Sequence, residues 1–227
     1  MFVAVEGIDG SGKGTQTKLL REKLDEAGYE VKHFSFPSYN NTVYGKLVGK
    51  YLNNIYGDLP IEIASTLFAV DRFEKRKELL AAIEDCDIVL CDRWCPSNMA
   101  YSLAQKFPQK AFLPVEQKFA EWINNVDYGV FEQPVPDIVF HLQISPEKAA
   151  DLVAKKEQRC YTDAVKDKYE ADLAFQTRVA DLYDYLVSKT TSCQNWQQIN
   201  VEQKDGNLKD ESRITDELVM ALYKFGF

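Results

Sequence analysis

Short apolar runs alternate along this chain with stretches in which apolar residues recur every three or four positions. Phe2–Glu6 begins with four consecutive apolar residues, the pattern of a strand buried on both faces. Residues 13–27 place Leu19, Leu20 and Leu24 on one helical face and stop at Gly28. A second strand spans 31–36 and ends at Pro37. Val43–Leu52 reads as a helix. A longer helix runs from Pro60, at a first helical position, to residue 84. Its apolar stripe is Ile63, Leu67, Val70 and Phe73, with Arg72 and the basic residues 75–77 mostly off it.

Residues 87–92 are an apolar run ending in a carboxylate, a third strand. Helices follow at 97–106 and 115–126, then a rigid connection, Gln133-Pro134-Val135-Pro136, and a fourth strand at 138–144. A helix begins at Pro146 and extends to 156, while 155–168 is polar and loses periodicity. Residues 169–187 resume as a helix, 196–201 are a fifth strand, and 210–224 close the chain as a helix. There is no internal repeat and no low-complexity tract. Strands alternating with helices predict one α/β domain over 1–227. Right-handed crossovers would wind it into a parallel sheet flanked by helices, with its ligand edge at the strand C-termini.

Composition narrows the function classes. The chain has 227 residues, 45% of them apolar and 27% charged, and a net charge of −8. That balance suits a globular chain and opposes broad binding to nucleic acid or an anionic membrane. No apolar run reaches the ~18 residues of a membrane helix. The N-terminus lacks a basic region before its apolar stretch, so no signal peptide is expected. Five scattered cysteines without a C-x-x-C pair, and only two histidines, argue against a zinc site and fit a reducing cytoplasm.

The segment after the first strand carries chemistry. In Gly7-Ile8-Asp9-Gly10-Ser11-Gly12-Lys13-Gly14-Thr15, the residues Gly7, Gly12 and Lys13 fit the phosphate-loop pattern G-x-x-x-x-G-K-[ST]. Gly14 stands where Ser or Thr is expected, so the hydroxyl comes one residue late, on Thr15. Glycines let backbone N–H groups turn inward around an anion, and a following helix adds its positive dipole end. Gly-Lys-Gly-Thr-Gln is the form used by many nucleoside monophosphate kinases.

Three further features gain meaning beside that loop. Asp92-Arg93 follows the third strand, where a carboxylate can hold magnesium and a guanidinium can fork onto phosphate. Lys155, Lys156, Arg159, Lys166 and Lys168 form a basic segment in an acidic chain. On its own it reads as a solvated charged face, and beside a phosphate loop as a lid that closes over phosphates. Asp9 lies inside the loop, where a carboxylate repels phosphate unless it faces a sugar hydroxyl or a metal.

Together these residues resemble the thymidylate kinase family. The matching pieces are 6–13, Phe36-Pro37, 66–72, Asp92-Arg93-Trp94 with 97–101, Pro136-Asp137 and Lys168-Tyr169-Glu170. The resemblance implies a three-layer P-loop kinase fold with a mobile lid at about 155–168. It also implies ATP-dependent phosphorylation of dTMP to dTDP for dTTP synthesis, with Mg2+, in a homodimer. Lys13, Arg93, Arg159 and Asp9 would serve catalysis. Gly7, Asp9, Gly10, Ser11, Gly12, Lys13, Gly14, Thr15, Lys155 and Lys156 would hold ATP. Phe68 would stack on thymine, Arg72 donate to its O4, Asn98 meet the base near N3, and Tyr101 pack under the deoxyribose. Phe36, Tyr39, Arg93, Tyr169, Glu170 and Asp9 would complete the acceptor site, and Thr15, Asp92 and Asp9 the metal site.

Three positions depart from the family pattern: Ser38 where many relatives have Arg, Trp94 for Tyr or His, and Gly10 where one branch has Arg. The last moves the required positive charge to the lid. Two rivals differ in testable ways. Another nucleotide kinase, such as adenylate kinase or a deoxynucleoside kinase, would prefer a different acceptor. A GTP-dependent switch would hydrolyse nucleotide without an acceptor, and the chain lacks a convincing N-K-x-D guanine motif.

Overall fold

Phe2–Glu6 forms the central strand, β1, and every residue in it is buried. The computed structural model describes residues 1–109, 114–154, 172–189 and 195–227. The other strands are β2 (Val31–Ser35), β3 (Ile88–Asp92), β4 (Ile138–Gln143) and β5 (Trp196–Asn200). They make one parallel sheet in the order β2-β3-β1-β4-β5. The helices are α1 (Lys13–Glu26), α2 (Val43–Leu52), α3 (Ile61–Asp85), α4 (Cys95–Lys106), α5 (Pro114–Asn124), α6 (Pro146–Ala154), α7 (Leu173–Lys189) and α8 (Glu211–Lys224).

Parallel strands covered on both faces must be apolar at successive positions, and β1 shows why. Val3 and Val5 enter a core cluster with Leu20 and Leu24 of α1, Leu103 of α4 and Leu182 of α7. Phe2 and Ala4 point the other way, into a second cluster with Leu79 of α3 and Trp94. Register pairs Val5 with Asp92 and Glu6 with His141. β3 therefore ends one residue short of β1 and β4 runs two residues beyond it, and the loops that leave them share one edge of the sheet.

Several boundaries differ from the sequence reading. Pro60 caps α3 rather than opening it; its carbonyl accepts from Ile63 N and Ala64 N. α4 starts at Cys95, two residues early, with Pro96 in its first turn. α5 does not run to Val126 but passes into a π-helical turn, Asn125–Val130, closed by Phe131 N onto Val126 O at 3.0 Å. The expected end of the sixth helix at 156 and the start of the seventh at 169 lie outside the described residues.

The stripe read for α3 is corrected. Ile63 and Phe73 are 54% and 45% exposed, while Ala64, Ser65, Ala69, Asp71 and Arg72 are buried. The reason is partnership. Asp71 accepts from Ser38 N at 2.8 Å and from Thr42 Oγ1, and Arg72 donates to Asp127. Polar groups with such partners can sit inside, and the apolar residues then turn outward.

Among the cysteines, Cys91 and Cys95 are buried, Cys86 is half-buried, and all three are free thiols. Cys160 and Cys193 lie outside the described residues. Among the described residues no helix is long and apolar enough to cross a membrane.

A candidate nucleotide site at the strand edge

The loop between β1 and α1 wraps around its own lysine. Lys13 Nζ donates to Gly7 O at 2.9 Å, Ile8 O at 2.6 Å and Ser11 Oγ at 3.4 Å. Gly12 caps α1 in the left-handed region at φ 89°, and no side chain bonds the first turn. The N–H groups of that turn and the helix dipole are thus available to an anion. Gly10 has φ 84°, and a Cβ there would stand 2.1 Å from Ala149 O of α6. No side chain fits at that position, which explains why this chain carries no arginine there.

A cleft opens beside this loop. It is lined by Asp9, Phe36, Tyr39, Phe68, Arg72, Arg93, Asn98 and Tyr101, with Ser97, Ser102 and Gln105 among others. All eight of the residues expected at the acceptor site that fall in the described chain therefore meet in one place. Tyr169 and Glu170, with Lys155, Lys156 and Arg159, lie outside the described residues. Phe68 forms an apolar wall edge-on to Tyr51, ring centroids 6.4 Å apart. Ser38, at the position of the absent arginine, spends its N–H on Asp71 and its hydroxyl on Ser35 O, so it shapes the loop.

Asp9 is the hub of the cleft. Its Oδ1 accepts from Arg93 Nη2; its Oδ2 accepts from Tyr101 OH at 2.8 Å and Gln176 Nε2 at 3.1 Å. Arg93 also lies over the Tyr101 ring, 5.1 Å from its centroid. Burial opposes the charge on Arg93, but its partners in the cleft, the Asp9 carboxylate among them, outweigh it and hold the guanidinium well above its ordinary pKa. Burial pushes the Tyr101 phenol well up, so its proton stays on the bond to Asp9.

Arg93 is held at φ 67°, an uncommon conformation for a residue with a side chain. The neighbouring backbone shows what fixes it. Glu6 is fully buried; its Oε1 accepts from Trp94 N at 2.7 Å and its Oε2 from Ser97 Oγ and Tyr183 OH. Burial raises the Glu6 pKa, while the bonds from Ser97 and Tyr183 pull it down.

At the far wall, Arg72 Nη2 donates to Asp127 Oδ1 at 2.6 Å, with side-chain exposures of 3% and 1%. Removing one partner of such a buried pair costs about 3–5 kcal/mol. Asn98 Nδ2 donates to Ser65 O at 3.2 Å and to Asp127 Oδ2 at 3.4 Å.

Of the suggested metal ligands, Asp92 ends β3 with Oδ2 3.3 Å from where a Gly14 side chain would begin. Thr15 is exposed on the first turn of α1. Both offer oxygen, the donor set a hard divalent ion prefers. The oxygens of Asp9 are instead engaged by protein donors. Among the described residues no group of three or more His, Cys, Asp or Glu gathers around a point.

Gln176 and Asp127 escaped the sequence reading. Each had a signal: a polar residue on an apolar stripe. Gln176 shares a face of α7 with buried Val179 and Tyr183, and Asp127 continues the line of Phe119 and Ile123.

Comparison with known proteins bears on the whole chain. The model of the thymidylate kinase family matches residues 5–211. Thymidylate kinase from Mycobacterium tuberculosis is 31% identical over 191 residues, covering 83% of this chain and 86% of that protein. The Caenorhabditis elegans thymidylate kinase is 32% identical over 180 residues, 75% of each chain. The solved structure of thymidylate kinase from Candida albicans has the same fold, with a TM-score of 0.71 at 24% identity, covering 98% of this chain and 91% of that one. On the match to the family model and the similarity to these relatives, the chain belongs to the thymidylate kinase family.

Proposed function

We infer that this chain transfers the terminal phosphoryl group of ATP to dTMP, giving dTDP for dTTP synthesis. Membership of the family carries the reaction. The single observation that supports these acceptor residues is that Phe68, Arg72, Arg93, Asn98 and Tyr101 line one cleft against the phosphate loop.

Phosphoryl transfer asks for in-line positioning and neutralisation of charge rather than covalent chemistry. The acceptor is already an anionic phosphate oxygen, so no general base is required. Lys13 leaves the loop carbonyls for the donor phosphates, and Arg93 with Tyr39 holds the acceptor phosphate. Phe68 stacks on the base, Arg72 donates to O4, Asn98 lies near N3, and Tyr101 crowds a 2′-hydroxyl. Asp9 exchanges one of its present donors for the 3′-hydroxyl. Because Gly10 has no room for a side chain, the remaining positive charge comes from Lys155, Lys156 and Arg159. Asp92 and Thr15 would hold a magnesium ion, which would supply neutralisation of the charge developing on the phosphates.

The proposed assembly is a homodimer through α2 and α3. Val43 and Ile63 are 64% and 54% exposed, and Phe73 packs on Phe131 at 5.0 Å beside Val130, 64% exposed. Apolar surface of this kind marks an interface. The proposed compartment is the cytoplasm, where thiols stay reduced.

The test is an acceptor panel with ATP, read as kcat/KM. The expected order is dTMP, then dUMP about tenfold lower, then dCMP and ribonucleotides, because a pocket reads one methyl weakly and an unpaired donor strongly. Arg72→Gln should erase the preference for dTMP over dCMP. A wild type that prefers AMP or dCMP refutes the reading.

A further inference from the structure

Two of the residues assigned to the base, Arg72 on α3 and Asn98 on α4, do not touch each other through a side-chain bond but through a third group. Asp127 reaches both, one carboxylate oxygen to each: Oδ1 to Arg72 Nη2 at 2.6 Å and Oδ2 to Asn98 Nδ2 at 3.4 Å. It is 1% exposed. It does not line the cleft; it stands behind the two residues that do. Its own position comes from the π-helical turn, whose wider coil follows α5 directly and turns Asp127 inward. The strand of chain that follows is pinned as well, by Gln133 N on Asp127 O at 3.0 Å, Arg76 Nε on Glu132 O at 2.8 Å and Trp94 Nε1 on Pro134 O at 3.1 Å.

An arginine has five N–H donors in a rigid fork. Asp127 occupies the Nη2 end. Nε has no partner among the described residues, although it is fully buried. The pair is also neutral as a unit. An uncompensated guanidinium in this wall would draw an anion, the acceptor's own phosphate included; compensated by Asp127, it offers direction without net charge, which suits a neutral base.

We propose that Asp127 is the positioning residue for base selection: its carboxylate, held from the π-helical turn and steadied on one oxygen by Asn98, fixes Arg72 and aims its remaining N–H groups at a pyrimidine with a carbonyl at position 4. This rests on the reading of the cleft as a dTMP site. Asp127 touches no substrate and acts on the base through Arg72, the side chain it holds with its shorter bond.

The experiment compares kcat and KM for dTMP and dCMP, at saturating Mg-ATP, in wild type, Asp127→Asn, Arg72→Gln and the double variant. Asp127→Asn should lower the dTMP-over-dCMP ratio of kcat/KM about tenfold or more, with the loss falling on KM for dTMP rather than on kcat. Because Asp127 acts through Arg72, the double variant should have the same ratio as Arg72→Gln alone, within about twofold. A residue that merely supports the fold would lower both acceptors in proportion. An unchanged ratio in Asp127→Asn, or a double variant whose ratio falls by the product of the two single effects, overturns the proposal. If Asp127→Asn does not fold, the double variant, which carries no unpaired charge, decides: a ratio equal to that of Arg72→Gln upholds the proposal and a further fall overturns it. A wild type that does not prefer dTMP defeats the base reading and this inference together, whereas a normal wild type with an indifferent Asp127→Asn defeats this inference alone.

Discussion

Gly10 and Gly12 offer a matched pair in one loop. Their φ values are 84° and 89°, so an alanine at either pays the same backbone cost, about 1–2 kcal/mol for a left-handed residue. They differ in what the new methyl meets. At Gly12 there is nothing within 4 Å; at Gly10 the methyl would lie 2.1 Å from Ala149 O and 2.7 Å from its carbonyl carbon. Ordinary contact begins near 3.4 Å, so the first turns of α6 must retreat by more than an ångström or the loop must. Overpacking of this kind costs about 1–3 kcal/mol. At roughly 2–4 °C of melting temperature per kcal/mol for a chain of this size, Gly10→Ala should melt about 2–12 °C below Gly12→Ala. Thermal unfolding without nucleotide, followed by circular dichroism on both variants side by side, measures the difference. Equal melting temperatures would mean that α6 yields freely, and would remove the steric explanation for the absence of an arginine at this position.

Two other predictions concern stability and assembly. His141 is buried, stacked on Tyr183 at 5.1 Å, and its Nδ1 has no partner among the described residues; burial, with Lys13 adding to it, pushes its pKa down to about 4. The folded state thus binds this proton later than the unfolded state. Its contribution is complete above pH 6.5 and is lost as pH falls toward 4, on the order of 3 kcal/mol in all. Urea midpoints across that range should fall less steeply for His141→Phe; parallel slopes would show that His141 is not the titrating group. For the proposed dimer, light scattering at micromolar concentration should report twice the mass of the 26.0 kDa chain, and a purely monomeric result refutes that assembly.

The central strands were legible because, covered on both faces, they are apolar along most of their length; Phe2–Glu6 matches the structure to the residue, and so does the helix Val43–Leu52. The phosphate loop was legible because its chemistry needs glycines and one lysine in fixed order. α3 was misread for the opposite reason. A hydrophobicity pattern assumes that polar residues face water, and Asp71 and Arg72 are inside because Ser38, Thr42 and Asp127 receive them. Those partners lie 33, 29 and 55 residues away in sequence, beyond any local window. Gln176 is similar: its bonds to Asp9 span 167 residues, and only the fold makes them neighbours. The π-helical turn leaves no mark in periodicity, since six residues are too few to establish one.

The cleft's two arginines are both tied to buried carboxylates, Arg93 to Asp9 and Arg72 to Asp127, in a chain of net charge −8. Among the described residues, therefore, the walls of the cleft offer direction rather than net charge: each guanidinium already has its counter-ion inside the protein. Salt in the medium screens such short, buried bonds far less than it screens charges at the surface, so the geometry they hold is insulated from ionic strength.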